Sequence, residues 1–287
     1  MSDTTSTSIA SSTAETEIVI EAGRSDLQYW HDVWRYRELL YFLAWRDILV
    51  RYKQTVIGVL WAVLRPLLTM IVFSVIFGRL ANLAKPGDAP YPIIVFAAML
   101  PWQFFANALS ESGNSVLGNA NLISKVYFPR LITPASAVVV SFVDFLISFV
   151  IMAGLMLWYH FVPDWRIVFL PIFTLLAFAS AMGAGLWLSA LTVKYRDFRY
   201  IVPFIVQFGF YVSPVGFSSS IIPSEWRLLY SANPMVGAID GFRWSILGES
   251  QPIYADGMIL SVCVSVLLLM SGIWYFRSTE RQFADVI

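Results

Sequence analysis

Six long apolar runs occupy most of this chain, at 56–77, 92–109, 132–159, 168–193, 201–217 and 258–276. A helix needs about 20 apolar residues to cross a hydrocarbon core of about 30 Å. Each run therefore predicts a transmembrane span, and the long third and fourth predict tilted ones. Without water, backbone polar groups must be satisfied within one segment, which selects helices. The expected fold class is an all-α integral membrane protein with six transmembrane helices. Composition agrees: 58% of the 287 residues are hydrophobic and 13% are charged, against about 45–50% and about 25% in soluble domains. Nineteen basic residues balance nineteen acidic ones. This excludes a soluble enzyme, and also a nucleic-acid binder, which needs a basic face to release counterions.

The segments around the spans differ in character. Residues 1–28 are expected to form a disordered cytoplasmic tail. Its Ser/Thr-rich first part has no Lys or Arg up to Glu21, and it lacks the basic and apolar regions of a secretory signal. Residues 29–55 interleave Trp34, Leu39, Phe42, Leu43, Ile48 and Leu49 with Arg35, Arg37, Arg46, Arg51 and Lys53. Spacings of three and four predict an amphipathic helix, either in the headgroup layer or against a soluble partner. The segment 218–256 is half apolar but broken by Pro223, Pro234, Gly237, Gly241 and Gly248. Two short helices around an Asn-Pro turn are expected, either re-entrant and shielded by protein or in a peripheral loop. Thirteen Lys and Arg fall on one side of the spans and five on the other. That asymmetry predicts cytoplasmic termini and an outward 218–256 segment.

Candidate chemistry is sparse. One cysteine, Cys263, and two distant histidines, His31 and His160, predict no metal site. No phosphate-binding G-x-x-x-x-G-K-[ST] loop is present, so any ATP must be bound by another chain. Two isolated acids, Glu111 and Asp144, do not make a catalytic pair. Arg65 lies inside the first span, where a charge costs about 2.5–3.5 kcal/mol on insertion scales. Either an anionic lipid-linked substrate or an internal partner, with Asp144 as the candidate, would satisfy it. Phe204, Phe208 and Tyr211 share one face of span five at i, i+4, i+7 spacing, and Trp61, Phe73 and Phe77 add rings in span one. Such faces stack on sugars, or they pack against lipid or core. The loop after span two carries Leu122, Ile123, Val126, Tyr127 and Phe128 between Lys125 and Arg130. It predicts a short amphipathic helix stopped near Pro129, with an apolar patch for a partner.

Six motifs in order resemble the permeases of ABC exporters for polysaccharides and polyol phosphates, such as those for O-antigen, capsule and teichoic acid. They are Arg51-Tyr52-Lys53-Gln54 with Gly58, Leu60-Trp61 and Pro66; Leu100-Pro101-Trp102-Gln103-Phe104-Phe105; Asn119-Ala120-Asn121-Leu122-Ile123 through Tyr127-Phe128-Pro129-Arg130 and Pro134; Tyr195-Arg196-Asp197; Ser213-Pro214; and Asn233-Pro234. Arg65 stands outside these motifs.

The resemblance implies a homodimer above two ATPase subunits, which hold the ATP and Mg²⁺, so this chain binds no cofactor itself. It implies an N-terminal interface helix and outward re-entrant helices between spans five and six. It further implies ATPase coupling through Leu122, Lys125, Tyr127, Phe128 and Arg130, with a second contact at Tyr195, Arg196 and Asp197. The expected cargo is a lipid-linked polysaccharide crossing the bacterial inner membrane between the two copies. On this reading its headgroup loads at Arg46, Arg51 and Lys53, among membrane lipids. The glycan then passes Trp61, Arg65, Phe73, Phe204, Phe208 and Tyr211, because weak, sequence-tolerant stacking suits a moving chain. A permease for a small hydrophobic, lipid or haem-like cargo, and a membrane-embedded glycan-modifying enzyme, are the competing readings.

Overall fold

A computed structural model describes residues 26–53, 56–80 and 89–283, so most of the expected tail lies outside the described residues. The described chain is helical: α1 (Asp26–Arg35), α2 (Arg37–Lys53), α3 (Val56–Phe73), α4 (Tyr91–Gly118), α5 (Ala120–Ile123), α6 (Ile132–Trp158), α7 (Leu170–Lys194), α8 (Phe198–Val212), α9 (Ser224–Tyr230), α10 (Pro234–Leu247) and α11 (Ala255–Thr279). A wider π-helical stretch, Ser74–Leu80, continues α3.

The central helix is α4, flanked by α6 and α7, while α11 packs on the far side of α7. Small residues allow these close approaches. Along α4 they include Ala97, Ala98, Ala106, Ala108, Ser112, Gly113 and Ser115, most of them fully buried. Where α7 crosses α11, a methyl group on Gly183 would sit 2.6 Å from the backbone of Leu268 and Leu269. The same crossing pairs the hydroxyls of Ser180 and Ser265 at 2.9 Å, and Trp187 Nε1 donates to Ser271 Oγ at 3.1 Å.

Five helical segments among the described residues are long and apolar enough to span: Val63–Leu80, Tyr91–Gly118, Ile132–Trp158, Trp165–Lys194 and Ala255–Gln282. The second runs well past the expected end at 109. Its polar continuation, with Ser112 and Ser115 buried, lowers hydropathy without ending the helix. The expected fifth span is the departure. Only the 15-residue helix α8 stands there, about 22 Å long at 1.5 Å per residue.

Local chemistry explains why α8 stops. Pro214 disfavours helical backbone at the residue before it, and Ser213 is extended, with φ −83° and ψ 151°. Carbonyls released from the helix need donors, because leaving them unpaired in an apolar setting is unfavourable. Tyr230 Oη donates to the Val212 carbonyl at 2.7 Å, and Tyr91 Oη to that of Gly216 at 3.0 Å. Arg243 Nη2 donates to Val215 O at 2.9 Å and Nη1 to Phe217 O at 2.6 Å. Two tyrosines and one arginine thus satisfy the unwound stretch.

The Asn-Pro turn forms between α9 and α10. The Asn233 side chain caps α10 by accepting from Met235 N at 3.0 Å. Its Nδ2 donates to Ser213 Oγ at 3.0 Å, tying the Asn-Pro motif to the Ser-Pro motif. Helix α10 is buried against α4, α7 and α11, whereas α9 exposes Trp226, Leu228 and Leu229.

The stretch expected as one amphipathic helix, 29–55, is two helices broken at Tyr36. In α2 apolar and charged residues share the exposed surface, Arg37, Glu38, Arg46 and Lys53 among them. Tyr41, Phe42, Trp45, Leu49 and Val50 are exposed, whereas Leu43 and Ala44 are buried and Arg51 and Tyr52 turn toward α6.

Candidate functional site

The inward face of α2 positions a charged cluster between three helices. Arg51 donates to Glu111 of α4 at 2.5 Å and to Asp144 of α6, and Tyr52 Oη also donates to Asp144. Asp144 lies about 18 Å along α6 from Ile132, at 1.5 Å per residue. There a carboxylate requires a buried partner, and α2 brings it. Burial works against the Arg51 charge, but Asp144 and Glu111 outweigh it and hold the guanidinium above its ordinary range. Burial, followed by the bond to Asp144, pushes the Tyr52 phenol upward.

Beside this cluster a cleft of about 330 Å³ opens between α2, α4 and α6, lined by Arg46, Asp47, Arg51, Glu111, Asn114 and Asn119, among others. Arg46 binds Asp47 at 2.8 Å and donates from Nη2 to Asn119 Oδ1 at 2.9 Å. Asn119 in turn donates to Ser115 O at 2.9 Å. Two of the three expected headgroup residues, Arg46 and Arg51, therefore meet at one cleft. Lys53 is exposed at the end of α2 and does not line it.

The expected Arg65–Asp144 pair does not form. Asp144 is held by Arg51 and Tyr52, Arg65 is exposed, and no described residue forms an ion pair with it. Arg51 holds Asp144 because α2 packs along α6.

The ring face of α8 is present and open. Phe204, Phe208 and Tyr211 are 65%, 59% and 66% exposed, and the two phenyl rings stack at 6.0 Å. Phe73 is not part of that face. It packs edge-on against Phe210 at 5.2 Å and at a tilt against Phe77 at 5.3 Å, on the inner side of α8. The Trp61 side chain lies outside the described residues.

The loop after α4 contains only the four-residue helix α5. Of its apolar residues, Ile123 and Phe128 are buried in a cluster with Leu43, Leu131, Phe276 and Phe283. The exposed patch is smaller than expected: Val126 and Tyr127 are exposed and Leu122 is half-buried. Lys125 is exposed and Arg130 half-buried. In the second loop Tyr195, Arg196 and Asp197 are all exposed, with Lys194 Nζ 5.5 Å from the Tyr195 ring.

Arg243 is the structural residue that sequence reasoning passed over, counting it only among the five basic residues on the outer side of the spans. It is 1% exposed. An arginine in the apolar stretch of α10, three residues after Asp240, was the available signal, much as a charge within an apolar run drew attention to Arg65. The Arg51–Asp144 link had none, because 93 residues separate the partners.

Comparison with known proteins follows this layout. A family described as "ABC-2 type transporter" matches residues 38–247. The chain is 29% identical over 258 residues to "O-antigen export system permease protein RfbA" of Myxococcus xanthus, covering 89% of this chain and 98% of that protein. A Klebsiella pneumoniae protein of the same name is 25% identical over 251 residues, 87% of this chain and 95% of that protein. The "Capsule polysaccharide export inner-membrane protein CtrC" of Neisseria meningitidis serogroup A is 24% identical over 237 residues, 79% and 86% of the two chains. With the family match covering most of its length and five helices able to span a bilayer, the chain belongs to the ABC-2 type transporter membrane family.

Proposed function

We propose that this chain is the permease subunit of an ATP-driven exporter of lipid-linked polysaccharide, with O-antigen as the cargo class. The observation that carries this reading is the nearly end-to-end similarity to an O-antigen export permease. Two copies and two ATPase chains make the working unit, and ATP and Mg²⁺ sit on the ATPases. The basic ends of the helices face the cytoplasm of a bacterial inner membrane. Helices α9 and α10 dip in from the opposite side, and α8, with its unwound end, completes a sixth crossing. The satisfied carbonyls of 212–217 support that placement, because irregular backbone at membrane depth is tolerated where protein shields it.

In this mechanism the lipid headgroup loads at the α2–α4–α6 cleft. ATP-driven closure pushes on the exposed residues Lys125, Tyr127, Tyr195, Arg196 and Asp197. Phe128 transmits the push from inside the cluster that joins this loop to α2 and α11. The glycan passes Phe204, Phe208 and Tyr211 of α8, which are exposed and which a second copy would face across the conduit. Stacking on rings holds sugars without a deep directional minimum, so the chain can move on.

The test is a deletion strain complemented with wild-type or variant protein, scored for surface glycan and for lipid-linked polymer retained inside. Wild type restores surface glycan. The Phe204→Ala/Phe208→Ala/Tyr211→Ala triple variant assembles with the ATPase but exports poorly, because all three rings are exposed and add little to packing. Full export by the triple variant would refute the ring conduit. Failure to copurify any ATPase would refute the transport reading.

A further inference from the structure

The cleft beside α2 offers no free cation to the headgroup assigned to it. Its lining charges balance, and both arginines are already paired, Arg46 with Asp47 and Arg51 with Glu111 and Asp144. An anionic headgroup can bind Arg51 only after one carboxylate leaves it. The two carboxylates on Arg51 are not equivalent. Asp144 is 17% exposed and is held a second time by Tyr52. Glu111 is 50% exposed and, among the described residues, is held by Arg51 alone. Asp144 thus fixes the guanidinium in place, while Glu111 sits on the face that opens to the cleft. A guanidinium presents a planar fork that takes carboxylate or phosphate in the same geometry.

We infer that Glu111 is an internal competitor for the headgroup: its carboxylate occupies Arg51 in the empty state and is displaced by a diphosphate. The inference rests on the headgroup-loading reading above and deepens it. In the exchange Arg51 keeps its bond to Asp144, releases Glu111 and takes up a phosphate oxygen. No covalent bond changes. Glu111, already half-exposed, moves into the aqueous mouth of the cleft. A neutral lipid makes no ionic bond to Arg51 and is untouched by the exchange, whereas a weakly charged headgroup competes poorly with the carboxylate. Glu111 thereby sets specificity for a strong, multiply charged anion.

The test uses the full permease–ATPase complex in nanodiscs. Binding of undecaprenyl diphosphate is measured for wild type, Glu111→Gln, Arg51→Gln and the double variant, with undecaprenol as the neutral control. Glu111→Gln should bind the diphosphate lipid up to about fivefold more tightly, the scale of one partly exposed ion pair removed. Undecaprenol binding should be unchanged, a result that a merely structural role of Glu111 would not produce. In the Arg51→Gln background the Glu111 substitution should have no effect. Glu111→Ser serves as a second variant with the same expected direction, should Glu111→Gln assemble poorly. If wild type binds the diphosphate lipid but neither Glu111 variant alters its affinity, the competitor inference is overturned and headgroup loading stands. If wild type does not discriminate undecaprenyl diphosphate from undecaprenol, the loading reading itself is overturned. Displacement of the lipid by inorganic diphosphate would reassign the cleft to a free anion and overturn the lipid part of the inference.

Discussion

Removing the guanidinium of Arg243 should be among the most damaging single changes in the chain. The residue is fully buried and donates two short bonds, to Phe217 O at 2.6 Å and Val215 O at 2.9 Å, with a longer third to Ile94 O at 3.5 Å. Hydrogen bonds from a charged donor contribute about 1.5–3 kcal/mol each, so the two short ones amount to about 3–6 kcal/mol. Truncation to alanine also leaves a cavity. Relief of the desolvated charge offsets part of both. A net loss of about 3–4 kcal/mol follows, or about a hundred- to a thousandfold in the folded ratio, at 1.4 kcal/mol per tenfold. The assay is unfolding in mixed micelles at rising SDS fraction. Tryptophan fluorescence reports it, since Trp244 is adjacent in α10. Arg243→Met separates the causes, because it fills space without donating. It should recover only the cavity part, about 1–2 kcal/mol. If Arg243→Ala and Arg243→Met both unfold within about 1 kcal/mol of wild type, the carbonyls of 215 and 217 do not depend on Arg243 and the account of the unwound segment fails. That threshold is the scale of one ordinary hydrogen bond.

Gly183→Ala should destabilise by about 1–3 kcal/mol in the same titration, because its new methyl group would meet backbone that cannot rotate away; an unchanged midpoint would mean α7 and α11 separate easily. Phe283→Ala removes a ring that is 1% exposed and packed edge-on against Phe276 at 5.4 Å. A loss of about 3 kcal/mol is expected, and Phe283→Leu should restore most of it; equal stability of Phe283→Ala and wild type would show the cluster to be soft. Asn233→Ala should lose about 1 kcal/mol from the α10 cap, read from the SDS midpoint, with no loss contradicting the capping role.

Much of this architecture was written in hydropathy. The runs at 132–159, 168–193 and 258–276 coincide with long helices because solvent exclusion acts on each residue independently of its partners. The Asn-Pro turn was equally legible, since a capping side chain and a proline act within a few residues. The end of α4 was not. Its polar residues face other helices, and hydropathy cannot tell a polar residue at a helix–helix contact from one in a loop. Nor was the brevity of α8, because an apolar run looks the same whether the helix continues or unwinds at Ser213 and finds donors elsewhere. In the site, the ring spacing of α8 foretold one exposed face, yet Phe73 turned inward to Phe210.

By itself, the sequence determined that this chain folds as apolar helices suited to a bilayer, where the Asn-Pro turn falls and where its basic residues gather. These follow from transfer free energies and local backbone chemistry. Only the tertiary structure decided which charges meet. Arg51 takes Asp144 and Glu111, Arg65 takes neither, and Arg243 serves carbonyls of the 215–217 stretch. In a low-dielectric interior a charge is satisfied by whichever partner the packing brings within about 3 Å, and that distance depends on how helices far apart in the chain lie side by side.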